Sequence, residues 1–269
     1  MLIVTKVGGN ILRWKSSPEL ILDIKNLLSE NRIAIVHGGG AEVTEIASKL
    51  GKKQEFVVSP KGFRSRYTDK DTVEIFTMVM AGKINKQMVS ILQSHGVLGV
   101  GLSGLDGRLV QANRKKRIVI VDKSGRKRVV DGGYTGKICK VNAKLLWLLV
   151  ENGYVPVIAP VAVSEKFEPL NVDADRMAAH IAGSLNADKL ILLTDVQGLT
   201  LGDKLVPKLN ISEVEKILPK VGGGMSTKLY AAIEALNLGV GEVIISFGLK
   251  KFPISSPLEH KCGTVISRE

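Results

Sequence analysis

IAIVHGGGAEVTEIASKL, residues 33–50, decides the fold. Residues 33–37 form an apolar run with no alternation to water, so a strand there is buried on both faces. Three glycines, Gly38, Gly39 and Gly40, stop it. Residues 41–50 then place Val43, Ile46, Ala47 and Leu50 three or four apart, the spacing of one helix face. A buried strand, a glycine turn and an amphipathic helix make the first half of a βαβ unit.

The same alternation runs along the chain. Strands are expected at 1–7, 33–37, 98–102, 155–159, 189–194 and 242–247. Helices are expected at 20–28, 41–50, 72–81, 84–92, 144–152, 175–185 and 225–236. Such repetition predicts an α/β fold with a mainly parallel central sheet covered by helices on both faces. With 269 residues and 45% hydrophobic content, one large unit or two lobes sharing a sheet fits the chain. No apolar run is long enough to span a bilayer, and MLIVTKVGGN has no basic, then apolar, leader pattern, so a cytoplasmic protein is expected. Cys139 and Cys262 have no metal-like spacing and are expected as free thiols.

Glycines cluster at strand ends: Gly8 and Gly9, then Gly38 to Gly40, then Gly222 to Gly224. In parallel sheets, ligands bind beyond the carboxyl ends of strands. Glycine lets backbone N–H groups close on an anion there. Neither GxGxxG nor GxxxxGK[ST] follows the first strand, so a phosphate site needs lysines from separate segments. Lys6 closes the first strand. Lys228 follows the third glycine cluster and is expected in the first turn of a helix. NVDAD, residues 171–175, reads either as a helix N-cap or as a polar cluster larger than a cap needs. His180, within apolar RMAAHIAG, reads as packed, and His37 as shaping its turn.

The net charge is +12. It concentrates at residues 114–128, RKKRIVIVDKSGRKR, where eight cations face one anion, Asp122, for a local charge of +7. The apolar runs 118–121 and 129–130 flank a turn-like DKSG, which reads as a β-hairpin. It serves either as a charged edge that resists pairing or as a docking arm for an acidic partner. Nucleic-acid binding is the competing class. Aromatics are only 4% of the chain and none interleaves with the hairpin cations for base stacking. GFRSRYTD, residues 62–69, places Arg64 and Arg66 on the same side of an extended segment.

KVGGN, VHGGG, RYTD, GYVPVIAPVAV, NVDAD, LLTDVQGL and GGGMSTK, in that order, resemble the amino acid kinase family nearly end to end. The resemblance implies a three-layer αβα sandwich: a substrate lobe at 1–173, an ATP lobe at 174–269, and phosphorylation of a side-chain carboxylate. It makes Lys6 and Lys228 the transition-state cations and Asp175 their organiser. Gly8 and Gly9 would meet the moving phosphoryl group. Gly39, Gly40, Arg66 and Asn171 would hold the amino-acid substrate. Thr194, Asp195, Val196, Gly198, Leu199, Lys220 and Gly222 would contact ATP, with Mg²⁺ arriving on the nucleotide and no metal held by the protein. No general base is needed, because a carboxylate is already ionised at neutral pH.

Within the family the chain resembles two branches, one acting on free N-acetylglutamate and one on aminoadipate carried by a small acidic amino-group carrier protein. RYTD, the GGYTGKI stretch at 132–138 and the basic hairpin point to the carrier-linked branch. Arg64, Arg114, Lys115, Lys116, Arg117, Arg126, Lys127 and Arg128 are then the candidate docking cations. The resemblance also implies a homodimer. Glutamate on the same carrier differs by one methylene, worth only ~1–3 kcal/mol in a pocket.

Overall fold

The computed structural model describes residues 1–13 and 18–269. Its centre is an eight-stranded sheet. The strand order is Lys208–Asn210, Thr264–Ser267, Glu242–Phe247, Lys189–Thr194, Leu2–Val7, Arg32–His37, Val155–Ala159, Gly99–Ser103. All neighbours are parallel except Thr264–Ser267, which runs antiparallel to Glu242–Phe247. Every strand predicted from sequence is present, within a residue at its ends. The two short strands at one edge, Lys208–Asn210 and Thr264–Ser267, have too few residues to give a readable period.

Side-chain parity explains the three layers. Leu2 and Val4 pack with Ala34, Val36, Leu190 and Leu192 beneath the helices Ala174–Ser184 and Gly223–Asn237. Ile3 and Val7 pack with Ile33, Ile35, Ile191 and Leu193 against Pro18–Leu27 and Asn85–Ser94 on the other face. Successive strand residues point to opposite faces, so a strand covered twice has no position left for water. Lys6 has the parity of Leu2 and Val4. It therefore faces the two helices that carry Asp175 and Lys228.

The helices expected at 72–81 and 84–92 are one continuous rod. Lys70–Thr77 runs into a π-helical segment, Met78–Ile84, and then Asn85–Ser94. The wider π turn shifts the apolar face, which is why the periodicity reads as two helices. Segments 1–173 and 174–269 share one sheet: Leu2–Val7 pairs with Arg32–His37 on one side and Lys189–Thr194 on the other.

Two smaller four-stranded sheets sit outside the sandwich. One joins Pro169–Asn171, Val161–Val163, Val110–Arg114 and Gly136–Val141. The other joins Arg64–Arg66, Phe56–Val58, Arg117–Val121 and Lys127–Asp131, so the basic hairpin shares a sheet with the arginine pair. The hairpin turn forms as predicted: Asp122 Oδ1 accepts from the Ser124 and Arg126 backbone N–H groups, and Gly125 takes φ 78°. Cys139 and Cys262 are both free thiols. Among the described residues, no helix is long and apolar enough to cross a membrane.

Candidate active site

A cleft of 1230 Å³ opens at the carboxyl ends of Leu2–Val7, Arg32–His37 and Lys189–Thr194. From the first strand the chain moves outward on one side to the second, and returns on the other side at Lys189–Thr194. Sites form at such a reversal, because the connecting loops part there.

The floor of the cleft is ionic. Lys6 Nζ lies 2.8 Å from Asp175 Oδ1, and Lys228 Nζ lies 3.0 Å from Asp175 Oδ2. All three residues are buried. Burial opposes the charge on Lys6, but the Asp175 carboxylate outweighs it and holds the ammonium above the ordinary lysine range. Burial and the neighbouring Lys6 charge push Lys228 below that range. Burial would also raise Asp175, yet the two lysines keep it below the usual carboxylate value. Two cations on one carboxylate leave a net positive charge in a poorly solvated place, which an entering phosphate would complete. Lys228 sits in the second turn of Gly223–Asn237, not the first as its spacing suggested, because the helix already begins within the glycine cluster.

NVDAD turns out to be both a cap and a cluster. Asp173 caps Ala174–Ser184 by accepting from the Arg176 N–H at 2.9 Å, while Asp175 holds the lysines. Burial and the Asp175 charge raise the Asp173 carboxyl.

Two glycine loops form the wall above the lysines. A Cβ on Gly9 would stand 2.8 Å from the Gly39 nitrogen, and one on Gly38 2.9 Å from the Gly9 nitrogen. The loops thus touch backbone to backbone. Gly39 has φ 153°, and a Cβ there would meet Ile84 Cδ1 at 2.1 Å. Gly222, Gly223 and Gly224 face open space instead, which leaves their helix N-terminus free to approach a ligand. Asp195 accepts from Asn10 Nδ2 at 2.7 Å, and that hydrogen bond holds its carboxyl low. Val196 is exposed at this end, as is Lys220, while Gly198 at φ 157° packs on Thr264. Leu199 is buried, with its N–H donated to Thr264 Oγ1. Thr194 donates to Asp195 Oδ1 at 3.2 Å.

The opposite end holds the arginines. Arg64 and Arg66 do share a side: their guanidiniums lie 3.8 and 5.0 Å from the centre of the Phe56 ring. Arg64 is exposed and Arg66 is buried. Arg66 donates to Gly40 O at 2.7 Å, to Thr44 Oγ1 at 3.0 Å and to Gln54 Oε1. Burial, then the Arg64 charge, lowers it to about 10. All its partners are neutral, so its charge awaits an anion. Asn171 Nδ2 donates to Thr68 Oγ1 at 2.9 Å, and Thr68 donates to Arg66 O, which links RYTD to NVDAD.

The hairpin cations divide. Lys116, Arg117, Arg126, Lys127 and Arg128 are exposed, and Arg128 pairs with Asp122 at 2.6 Å. Arg114 lies over the Tyr134 ring and pairs with Glu168 at 3.2 Å. Lys115 lines the cleft itself. Sequence reasoning gave no role to Asn10, Thr44, Gln54, Thr68 or Arg176. Asn10 was within reach, since it ends the KVGGN stretch. The others are found only through contacts made across the fold.

A carboxylate that yokes two buried lysines below glycine-rich backbone belongs to enzymes that move phosphoryl groups by charge and position alone. The chain belongs to the amino acid kinase family, whose pattern it matches over residues 1–246, and it is a kinase. A relative from Nitrosopumilus maritimus (strain SCM1) is 48% identical over the whole of both chains. The LysW-aminoadipate/LysW-glutamate kinase of Sulfolobus acidocaldarius is 45% identical over 98% of this chain and 100% of that one. The protein of that name from Saccharolobus solfataricus is 42% identical over 99% of each. Among solved structures, N-acetylglutamate synthase from Neisseria gonorrhoeae superposes with TM-score 0.81 at 24% identity, this whole chain covering 59% of it. Carbamate kinase from Giardia lamblia bound to AMP-PNP superposes with TM-score 0.66 at 16% identity, over 100% of this chain and 98% of that one. These structural neighbours share the fold.

Proposed function

We propose that this kinase uses ATP to phosphorylate the side-chain carboxylate of aminoadipate, and of glutamate, held through its α-nitrogen on a small acidic LysW-like carrier protein. The product is an acyl phosphate on the way to lysine, and to arginine in the case of glutamate. Residues 1–173 take the acceptor and 174–269 the nucleotide, in a cytoplasmic homodimer. The full-length relatives named for the carrier-linked reaction support this reading. The observation that carries it is the rim sheet: the buried Arg66, the exposed Arg64 and the basic hairpin lie on one four-stranded surface leading into the cleft. A free acetylated amino acid needs Arg66 but has no use for the hairpin. An acidic protein is steered by it.

Arg66 and Asn171 orient the acceptor by its α-carboxylate and α-nitrogen. The side-chain carboxylate attacks the γ-phosphorus of ATP in line, the bond to the β,γ-bridging oxygen breaks and ADP leaves, while Lys6 and Lys228 neutralise the charge that spreads over the transferring oxygens. Asp175 fixes the two ammoniums, and Gly8 and Gly9 offer backbone N–H groups. Thr194 to Leu199, Lys220 and Gly222 flank the nucleotide. Magnesium would arrive on the nucleotide's own phosphates. Bound there, it neutralises phosphate charge.

The test compares turnover of ATP on carrier-linked aminoadipate, carrier-linked glutamate and free acetylglutamate. Turnover is expected on both carrier-linked acceptors, and robust turnover on acetylglutamate alone overturns the reading. Reversing the charge of Arg126, Lys127 and Arg128 is expected to raise KM for the carrier several-fold and leave KM for ATP in place.

A further inference from the structure

The GGYTG stretch, residues 132–136, carries no step in the reaction as drawn. Its glycines are nevertheless forced by contact. A Cβ on Gly132 would stand 1.7 Å from Lys115 O, and one on Gly133 2.3 Å from Thr68 O. Lys115 donates its backbone N–H to Thr135 O at 2.9 Å, and Gly132 donates to Lys116 O at 3.1 Å. The stretch thus clamps the backbone of Lys115 against the strand that carries it toward the cleft. Thr135 in turn bridges to Asn171.

The Lys115 side chain is half-buried and lines the cleft together with Thr135, Asn171 and Arg176. Among the described residues, no ion pair or hydrogen bond engages its ammonium. Burial lowers its proton affinity, and Arg176 and Lys137 lower it further, against Asp173 alone. The other cleft cations differ. Lys6 and Lys228 share Asp175, and Arg176 is paired with Glu234. Arg64 and Lys220 are exposed to water. Among the described cleft cations, only Arg66 is likewise withdrawn from water without an acid. The Lys115 N–H donates to Thr135, which bridges to Asn171, and this places Lys115 on the Asn171 wall of the cleft.

We infer that Lys115 is a second acceptor-binding cation, which takes a carboxylate oxygen that Arg66 does not. This rests on the carboxylate-kinase reading above. The carboxylate comes either from the amino acid itself or from the carrier beside its attachment point. Lys115→Gln and Lys115→Arg distinguish these, with acceptor and ATP varied separately and thermal melts run alongside. Lys115→Gln is expected to raise KM for the acceptor at least tenfold with KM for ATP within twofold, and Lys115→Arg to restore most of it. A rise on both free and carrier-linked acceptors assigns the carboxylate to the amino acid, and a rise on the carrier-linked one alone assigns it to the carrier. An acceptor KM within twofold of wild type, or an equal rise for ATP, overturns the inference. If Lys115→Gln does not fold, Lys115→Met keeps the methylene packing and gives the same readout. Calorimetric binding of acceptor reads the same ratio, so failure of the wild type to turn over carrier-linked substrate tests the reaction separately from Lys115.

Discussion

Asp175 holds the most consequential position in the chain. It accepts from two buried ammoniums that repel one another. Removing one partner of a buried ionic group costs ~3–5 kcal/mol, since the remaining charge is stranded. Asp175→Asn keeps the shape and loses the charge. It is expected to lower kcat about 10²–10³-fold, in the range of lost transition-state electrostatics. KM for the acceptor, which the proposal places at Arg66, should move only a few-fold; steady-state kinetics with a melting curve checks both. His37 makes a second residue-scale prediction. Its Nδ1–H donates to Gly38 O at 3.0 Å, and Nε2 accepts from Asn85 Nδ2 at 3.3 Å, so a further proton finds no acceptor. Burial lowers the imidazole from 6.5 to about 4, against the Gly38 contact. Between those values the unfolded chain binds a proton that the folded chain refuses, so stability rises with pH. The contribution is complete above pH 6.5 and is lost as pH falls toward 4, about 3 kcal/mol in all. His37→Gln should flatten that window in chemical denaturation measured from pH 4 to 7.

At the scale of elements, the two glycine loops and the π-helical segment form one packed unit. Gly39 sits at a φ that L-residues rarely take, directly below Ile84 of the π turn. Gly39→Ala is therefore expected to cost about 2–3 kcal/mol through strain and overpacking together. Adding Ile84→Val removes the Cδ1 that the new methyl meets. The pair should recover the steric share and leave the backbone share, read by urea denaturation of the single and double variants. This region also marks a limit of sequence reading. Strand, triple glycine and helix were legible from period and composition. The wide turn at Met78–Ile84 was not, because a π segment shifts the register of an apolar face without changing its composition. Lys228 was read a turn too early for a related reason: three glycines look like a loop, yet the helix starts inside them.

For the whole molecule, the placement of charge makes the proposed carrier docking sensitive to salt. Residues 114–128 carry +7 of the net +12, mostly on the rim sheet, and their effect falls within a Debye length of roughly 8–10 Å at ordinary ionic strength. KM for an acidic carrier should climb steeply between about 0.05 and 0.3 M salt. KM for ATP and for any free acceptor should climb far less, and the charge-reversed hairpin should lose the slope. A carrier KM indifferent to salt would remove electrostatic steering from the account.

By itself the sequence determined the alternation of buried strands and helices, the three glycine clusters, the hairpin and its turn, and the two lysines of the floor, while Asp175 came only from the family resemblance. Each leaves a local trace: a period, a run of one residue type, or a residue at a strand end. Side-chain parity even foretells that Lys6 faces the same layer as Leu2 and Val4. Tertiary structure alone decided which distant residues meet. Lys6, Asp175 and Lys228 come together because three segments converge where the strand order reverses. Arg66 and the basic hairpin share a sheet through one pairing, Val58 with Val121. Lys115, which reads as one more cation in a basic run, turns inward because Gly132 lets a backbone press against it. Local patterns carry the first kind of information because side-chain chemistry repeats along the chain. The second kind appears only when folding brings segments together, since no period in the sequence records which of them touch.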